Sequence, residues 1–235
     1  MSVLLKALAG INRRNLVKNR EYVIVSDFDG TIAIEDSNNL LSDIFGNEKN
    51  AENERAYTAG EIGLREAITK NFMQYNITFE EYHSFLKSNI HIDPTFYEFM
   101  GKIQKSGTDF FILSGGYKQT IEYLLGDKWL KNVAIYANEL HIEDGYIRPR
   151  FAYNNHKCYE HFGPCGNCKR DCIDIIRRQS GSKIIFIGDG LTDRCAAKRA
   201  DVVFAKEALE DFCKENNLPY IKFNNFIDIL ENLES

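Results

Sequence analysis

Proline is scarce in this chain, with four in 235 residues, and there is one tryptophan. No apolar run approaches the ~18 residues of a membrane-spanning helix, so no helical span is expected. No internal period and no low-complexity stretch is present, which excludes a repeat array or a long tail of biased composition. Acids are missing from residues 1–20, where Lys6, Arg13, Arg14, Lys18 and Arg20 lie. Of the chain's 29 basic residues those five fall in this segment, leaving 24 against 34 acids. An acidic body argues against nucleic acid as a partner. It also requires any phosphate pocket to be made electropositive locally, by a metal, a lysine or helix N-termini.

The apolar stretch Val3-Leu4-Leu5 is too short for a secretory signal, and Lys6 interrupts it. Val3, Leu4, Ala7, Leu8 and Ile11 share one helical face. Residues 1–20 therefore read as a basic amphipathic extension packed on the domain or on a partner, with membrane-surface attachment and disorder as alternatives. Six cysteines without a secretory signal suggest reduced thiols and a cytoplasmic location. The hydrophobic fraction of 44%, with 16 Phe and 12 Tyr, suffices for one large domain or a core with a modest insertion.

Asp27-Phe28-Asp29-Gly30-Thr31 follows Tyr22-Val23-Ile24-Val25, a run with the β-branched content of a strand buried on both faces. Carboxylates at i and i+2 just past a strand end project from one rim of a sheet, and the glycine lets the chain turn away. Two carboxylates in one site resist full ionisation, so their pKa values separate. That suits one as a nucleophile and the other as a proton carrier, with a divalent cation easing the repulsion. An ordinary Asp/Gly turn is the plain alternative for these five residues.

From Ile34 to about Asp93 the pattern is helical and polar-rich. Asp36 or Ser37 caps a first helix, and Thr78-Phe79-Glu80-Glu81 reads as a capping box. Asp93-Pro94 opens a helix with Phe96, Phe99, Met100 and Ile103 on its buried face, ended by Gly107. Strands are expected at Phe110–Leu113, closing on Ser114-Gly115-Gly116, and at Val133–Tyr136. Asp144-Gly145 marks a hairpin between Leu140–Ile142 and Tyr146-Ile147. Further strands fall at Lys183–Ile187, Val202–Phe204 and Tyr220-Ile221, with helices between and after them. Alternation at this spacing predicts an α/β fold, a Rossmann-like parallel sheet with helices on both faces. The core comprises residues 21–33 and 94–235, and residues 34–93 form an inserted helical cap.

Three further stations lie at strand ends or beside them. Ser114-Gly115-Gly116 offers a hydroxyl and backbone N–H groups to a phosphate. Asp189 to Asp193, spaced Asp-Gly-Leu-Thr-Asp, supplies carboxylates for an octahedral oxygen site of the kind Mg²⁺ prefers. Lys169 begins a helix holding Cys172, Ile173 and Ile176 and provides the cation that phosphate and several acids need. Ligands of open α/β sheets bind at the carboxyl ends of the strands, where these stations coincide. His156, Cys158, His161, Cys165, Cys168 and Cys172 crowd into 17 residues and include a Cys-x-x-Cys, so a zinc-binding interaction module is a different-class reading. It leaves the acidic stations unexplained; a structural zinc beside the site does not. A phosphorelay receiver also uses clustered acids, a Ser or Thr and a Lys, but such domains are about half this length and carry no helical insertion.

Asp27-x-Asp29-Gly-Thr, Ser114, Lys169 and Gly-Asp189-Gly-x-Thr-Asp193 resemble, in order, the four motifs of haloacid-dehalogenase-superfamily phosphatases, over about residues 21–232. Cys168 directly before Lys169, together with Ala196-Ala197-Lys198, Asp201 and Phe204-Ala205-Lys206, is similar to the methionine-salvage enol-phosphate phosphatases of the phosphoserine-phosphatase-like branch. Phosphoserine and phosphocholine phosphatases are similar more loosely. Gly30 and Thr192 stand where the phosphoserine enzymes usually have Ser and Asn, and the basic extension fits none of these patterns. The resemblance implies a phosphomonoester hydrolase with Asp27 as nucleophile and Asp29 as general acid and base. It implies Mg²⁺ held by Asp27, the Asp29 carbonyl and Asp189, with Asp193 supporting the metal or orienting Lys169. Ser114, the Gly115 amide and Lys169 would hold the phosphate oxygens. Asp36 falls at a substrate-facing acidic position and favours an amine or hydroxyl on the substrate. Arg65 or Lys70 is placed to meet a carboxylate, with solvated surface positions as the plainer reading. The expected partner is a small phosphorylated metabolite, and the expected assembly a homodimer.

Overall fold

The computed structural model describes residues 21–151 and 165–234. The residue 1–20 extension, His156, Cys158 and His161 lie outside that range. Strand β1 (Tyr22–Ser26) leads into four helices, α1 (Ser37–Phe45), α2 (Glu48–Thr58), α3 (Leu64–Phe72) and α4 (Phe79–Asn89). Next come α5 (Pro94–Ser106), β2 (Phe110–Tyr117), α6 (Lys118–Leu130), and the hairpin β3 (Val133–Glu143) and β4 (Tyr146–Arg150). The remainder runs α7 (Lys169–Ser180), β5 (Lys183–Gly188), a 3₁₀ turn at Leu191–Asp193, α8 (Arg194–Ala197), β6 (Val202–Ala205), α9 (Glu207–Glu215), β7 (Ile221–Lys222) and α10 (Phe226–Glu234).

The strands form one sheet in the order β4-β3-β2-β1-β5-β6-β7. All pairings are parallel except β3 with β4. The chain steps outward from β1 through β2 to β3, then crosses back to place β5 on the other side of β1. That reversal is a topological switch point, and it opens a crevice at the carboxyl end of β1. Every residue of β1 is buried, which explains its unbroken apolar sequence. One face of the sheet packs on α5, α6 and α10 through Phe96, Phe99, Ile121 and Phe226, with Phe96 and Phe226 edge-on at 5.2 Å between centroids. The other face packs on α7 and α9 through Cys172, Ile173, Ile176, Leu209 and Cys213.

Local chemistry sets the helix ends. Asp36 caps α1 by accepting from the Asn38 and Asn39 amides, Thr78 and Glu81 close a capping box on α4, and Asp93-Pro94 starts α5. Gly107 ends α5 in the left-handed conformation, φ 73°. The four helices α1–α4 leave and rejoin the chain at one neck. There Ala33 and Ile92 form an antiparallel bridge, and Ile34 N donates to His91 O at 2.8 Å. The β3–β4 hairpin packs beneath them: the Arg148 guanidinium donates to Phe72 O and Tyr75 O, each at 3.0 Å.

Three strands differ from the sequence reading. β3 is a single strand of 11 residues instead of two, because its first part pairs with β2 and its second with β4, so no turn separates them. β2 does not close at Ser114-Gly115-Gly116 but continues to Tyr117, with its register to β3 shifted between Leu113 and Tyr117. The short strand expected at Tyr220-Ile221 falls at Ile221–Lys222. Among the described residues no helix is long and apolar enough to cross a membrane.

Candidate active site

Asp27 sits one residue past β1, where its amide donates to Ile187 O of β5 at 2.9 Å. The next turn is wound on one oxygen: Phe28 O accepts from the Thr31, Ile32 and Ala33 amides. This turn needs Gly30. Its φ is +73°, and a Cβ there would overlap the Asp189 carboxylate, so a side chain is excluded by conformation and by space. The same turn aims Thr31 Oγ1 at Asp189 Oδ1, 2.6 Å away, tying the β1 loop to the β5 loop.

Lys169, the first residue of α7, is buried between two acids. Its Nζ lies 2.8 Å from Asp27 Oδ1 and 2.6 Å from Asp193 Oδ1. Asp193 Oδ2 accepts from the Asp189 and Gly190 amides at 3.1 Å each. Both oxygens of Asp193 are thus engaged, one orienting Lys169 and one shaping the β5 loop. Burial alone would lower the Lys169 pKa, but Asp193 and Asp27 outweigh it and hold the ammonium charged.

Asp29 faces the other way. Its Oδ1 accepts from the Ser37 amide at 2.9 Å and the Ser37 hydroxyl at 2.5 Å. Its Oδ2 lies 3.4 Å from Ser114 Oγ, which in turn accepts from the Gly116 amide at 2.8 Å. Burial and the Asp36 charge push Asp29 up to about 6 against the pull of Ser37. Asp27 is raised well above the usual carboxylate range by burial and by Asp193, with Lys169 opposing. Burial and Asp193 raise Asp189 to about 7. The pair at i and i+2 therefore has two separate environments, one beside a fixed cation and one held by hydroxyl and amide donors.

Asp27, Asp189 and Asp193 each offer a carboxylate oxygen, and these atoms lie within 4.8 Å of one another. Three acids beside one lysine are under-neutralised, as the raised Asp27 and Asp189 indicate, and an all-oxygen donor set suits a hard divalent cation. The residues present fit Mg²⁺, which Asp27 and Asp189 would hold with Asp193 alongside. Asp29 can join only through its main chain, since its carboxylate is turned to Ser37. Mg²⁺ is expected to raise the melting temperature of the metal-free protein, by more at pH 7.5 than at pH 5. The sign follows from the raised values. A carboxyl whose folded pKa exceeds its unfolded one stabilises the fold below about pH 4, and that contribution is lost as pH rises to about 7. Calorimetric scans with and without Mg²⁺ check this; an equal shift at both pH values would contradict it.

A cavity of about 320 Å³ opens over these groups, lined by Asp27, Asp29, Lys169, Asp189 and Gly115 at its floor. Helices α1–α3 supply the opposite wall through Asn38, Leu41, Glu54, Tyr57, Ile68 and Phe72, with Asp36 at the end of α1. Six of the eight sequence-derived site residues, Asp27, Asp29, Asp36, Gly115, Lys169 and Asp189, thus line this cavity, with Ser114 behind Asp29 and Asp193 behind Lys169. Arg65 and Lys70 do not line it. Arg65 stacks 4.8 Å over the Phe151 ring, and Lys70 pairs with Glu66 at 2.7 Å on an exposed face. Sequence reading missed Thr31 as the anchor of Asp189 and Ser37 as the holder of Asp29, having taken Ser37 for a helix cap alone. Of the cysteine segment, Cys165, Cys168 and Cys172 are buried, and the Cys172 thiol donates to Asn167 Oδ1 at 3.2 Å. Among the described residues they form no candidate metal group.

A family model described as "Putative Phosphatase" matches residues 22–218. The 2-hydroxy-3-keto-5-methylthiopentenyl-1-phosphate phosphatase of Bacillus cytotoxicus is 34% identical over 213 residues, covering 90% of this chain and 95% of that protein. The polyol phosphate phosphatase of Saccharomyces cerevisiae is 29% identical over 229 residues, covering 90% and 92%. Among solved structures, a phosphoserine phosphatase holding an analogue of its phospho-aspartyl intermediate superposes with a TM-score of 0.66 at 18% identity, covering 91% of this chain and 99% of that one. At that identity the likeness concerns the fold, and it agrees with the parallel sheet described above. The chain belongs to this phosphatase family and is a phosphatase.

Proposed function

We propose that the protein hydrolyses a small phosphate monoester, depends on Mg²⁺, and works through a phosphoryl group carried on Asp27. The observation that carries this reading is the buried Lys169 ammonium between Asp27 and Asp193, with Asp29 two residues on in a separate hydrogen-bonded niche. The Asp27 carboxylate attacks phosphorus, and the ester P–O bond breaks as Asp29 Oδ2 gives its proton to the departing oxygen. Water then attacks the acyl phosphate, Asp29 takes its proton, and phosphate leaves. Lys169, Ser114 and the Gly115 amide hold the phosphoryl oxygens as charge spreads over them. When bound, Mg²⁺ offsets the charge of the acids and of the substrate.

An acid whose pKa sits at about 6 is half ionised at about pH 6 and keeps a neutral fraction towards neutrality, which suits a group that both gives and takes a proton. Asp29→Asn is expected to cut kcat by roughly 10²–10⁴-fold, and single-turnover kinetics should show both chemical steps slowed. A loss below fivefold would remove Asp29 from the chemistry.

Residues 34–93 act in this reading as a cap whose helices wall the cavity and exclude water during the reaction. A covered space of about 320 Å³ suits a small metabolite and rejects a folded phosphoprotein. Among the described residues Lys169 is the one cation lining it, while Asp36 and Glu54 are acidic and Leu41, Ile68 and Phe72 are apolar. That wall suits an uncharged, hydroxyl-bearing leaving group with a short apolar part, and an amine as second choice, over one carrying a carboxylate. The methionine-salvage enol phosphate is the first candidate, and the 34% identity to a phosphatase named for it supports the choice. Assay of this enol phosphate, polyol phosphates, phosphocholine and phosphoserine with Mg²⁺ tests the reading. A kcat/KM for phosphoserine at or above that for the enol phosphate would overturn the choice of leaving group.

A further inference from the structure

Two buried asparagines tie β2 to β3 around the Ser114-Gly115-Gly116 segment. Asn167, two residues before Lys169, uses both amide hydrogens: Nδ2 donates to Ser114 O and to Tyr136 O, each at 2.8 Å. Its Oδ1 accepts from the Cys172 thiol at 3.2 Å. Asn138, fully buried in β3, donates from Nδ2 to Gly115 O at 2.8 Å. These side chains occupy the stretch where the β2–β3 register slips, between Leu113 and Tyr117. The main-chain carbonyls on either side of the Gly115 amide are thereby captured by side-chain donors.

The chemical consequence concerns an anion. A carbonyl oxygen turned into a phosphate cradle repels it, and a backbone N–H turned there binds it. No peptide bond among the described residues is cis, and in a trans peptide C=O and N–H point in opposite directions. Anchoring Ser114 O on Asn167 therefore directs the Gly115 N–H away from Asn167. Anchoring Gly115 O on Asn138 withdraws the next acceptor. Gly115 is exposed and shares the cavity floor with Asp27 and Lys169. Gly116 cannot take its place with a side chain, since a Cβ would come within 2.7 Å of Asp29 Oδ2. Asn167 also sits on the loop that leads into Lys169, so one residue sets the backbone donor and the approach of the ammonium together.

We propose that Asn138 and Asn167 are positioning residues of the phosphate site: they take up the Ser114 and Gly115 carbonyls so that the loop presents its Gly115 N–H to the phosphate. This rests on the reading that Gly115 and Lys169 bind the phosphoryl oxygens. Neither asparagine touches the substrate.

The test uses the full chain with Mg²⁺ and inorganic phosphate as probe, in wild type, Asn138→Ala and Asn167→Ala, with thermal melts to confirm folding. Phosphate affinity is read from competitive inhibition of aryl phosphate turnover, and the Gly115 amide from its ¹H–¹⁵N resonance. In wild type that resonance should move downfield on phosphate addition. In each folded variant its movement should shrink and phosphate should bind about tenfold more weakly, the scale of one weakened charge-assisted hydrogen bond. Restoring an amide as Asn167→Gln should recover part of the loss. Wild-type affinity and a full Gly115 shift in either folded variant would overturn the positioning role while leaving the phosphate site standing. A wild-type Gly115 resonance that ignores saturating phosphate would instead overturn the reading of the cradle itself.

Discussion

Replacement of Asp27 by Asn is expected to abolish turnover and leave the protein folded. The amide has the size and shape of the carboxylate but cannot attack phosphorus, so the residual rate should fall to background. Folding should not suffer. Burial, with Asp193 beside it and Asp189 near, raises the Asp27 pKa well above the usual range, so in the metal-free protein its ionised form is held at a cost. The neutral amide removes that repulsion, and Lys169 keeps Asp193 at 2.6 Å as its counter-ion. The melting temperature of the metal-free variant should therefore match or exceed that of wild type. In wild type, rapid quenching during turnover should trap a labile phosphoryl group on Asp27, and in the variant none. Turnover within tenfold of wild type would remove Asp27 as the nucleophile.

The two halves of this expectation draw on different levels of the sequence. The proposed nucleophile was legible because buried parallel strands read as unbroken apolar runs, and the acids fall at the carboxyl ends of two of them. Tyr22–Ser26 and Lys183–Gly188 are such strands, and Asp27 and Asp189 follow them directly. Helix starts at Asp36, Thr78 and Asp93 were legible for a local reason too, since a cap and its partner lie within three residues.

What escaped reading depends on pairings across the chain. Thr31 meets Asp189 158 residues away, and Asn167 meets Ser114 53 residues away. No periodicity or spacing records such contacts, so Thr31, Asn138 and Asn167 look like ordinary turn or strand polars. Ser37 is a different case: the sequence offered it beside Asp36 as a helix cap, but Asp36 takes that place and Ser37 serves the Asp29 carboxylate, eight residues back. The continuity of β3 was hidden because its two halves pair with different strands. The division of labour between Asp189 and Asp193 was open in the sequence, and the geometry resolves it in part, with both Asp193 oxygens already engaged.

Lys169→Met should produce the largest combined loss of stability and activity. The substitution keeps an unbranched side chain of similar length at a buried position and deletes the charge with its N–H donors. Asp27 and Asp193 would then face each other without a cation, and breaking a buried ion pair from one side costs roughly 3–5 kcal/mol. Against a typical total of about 5–15 kcal/mol, such a variant stands near the margin of folding. The deficit should depend on pH with a definite sign. Without Lys169 the folded pKa of Asp27 rises further above its unfolded value, so the fold binds its proton more tightly and loses more stability as pH climbs through the neutral range. Lowering the pH from 8 to 5 should therefore narrow the gap to wild type in denaturant titrations, and Mg²⁺ should narrow it at pH 8. In activity, loss of a fixed donor to the phosphoryl oxygens should lower kcat by about 10²–10³-fold, with weaker inhibition by inorganic phosphate. A stability gap unchanged between pH 5 and pH 8 would show that Lys169 does not offset ionised carboxylates, and near-wild-type kcat in the folded variant would remove it from the site.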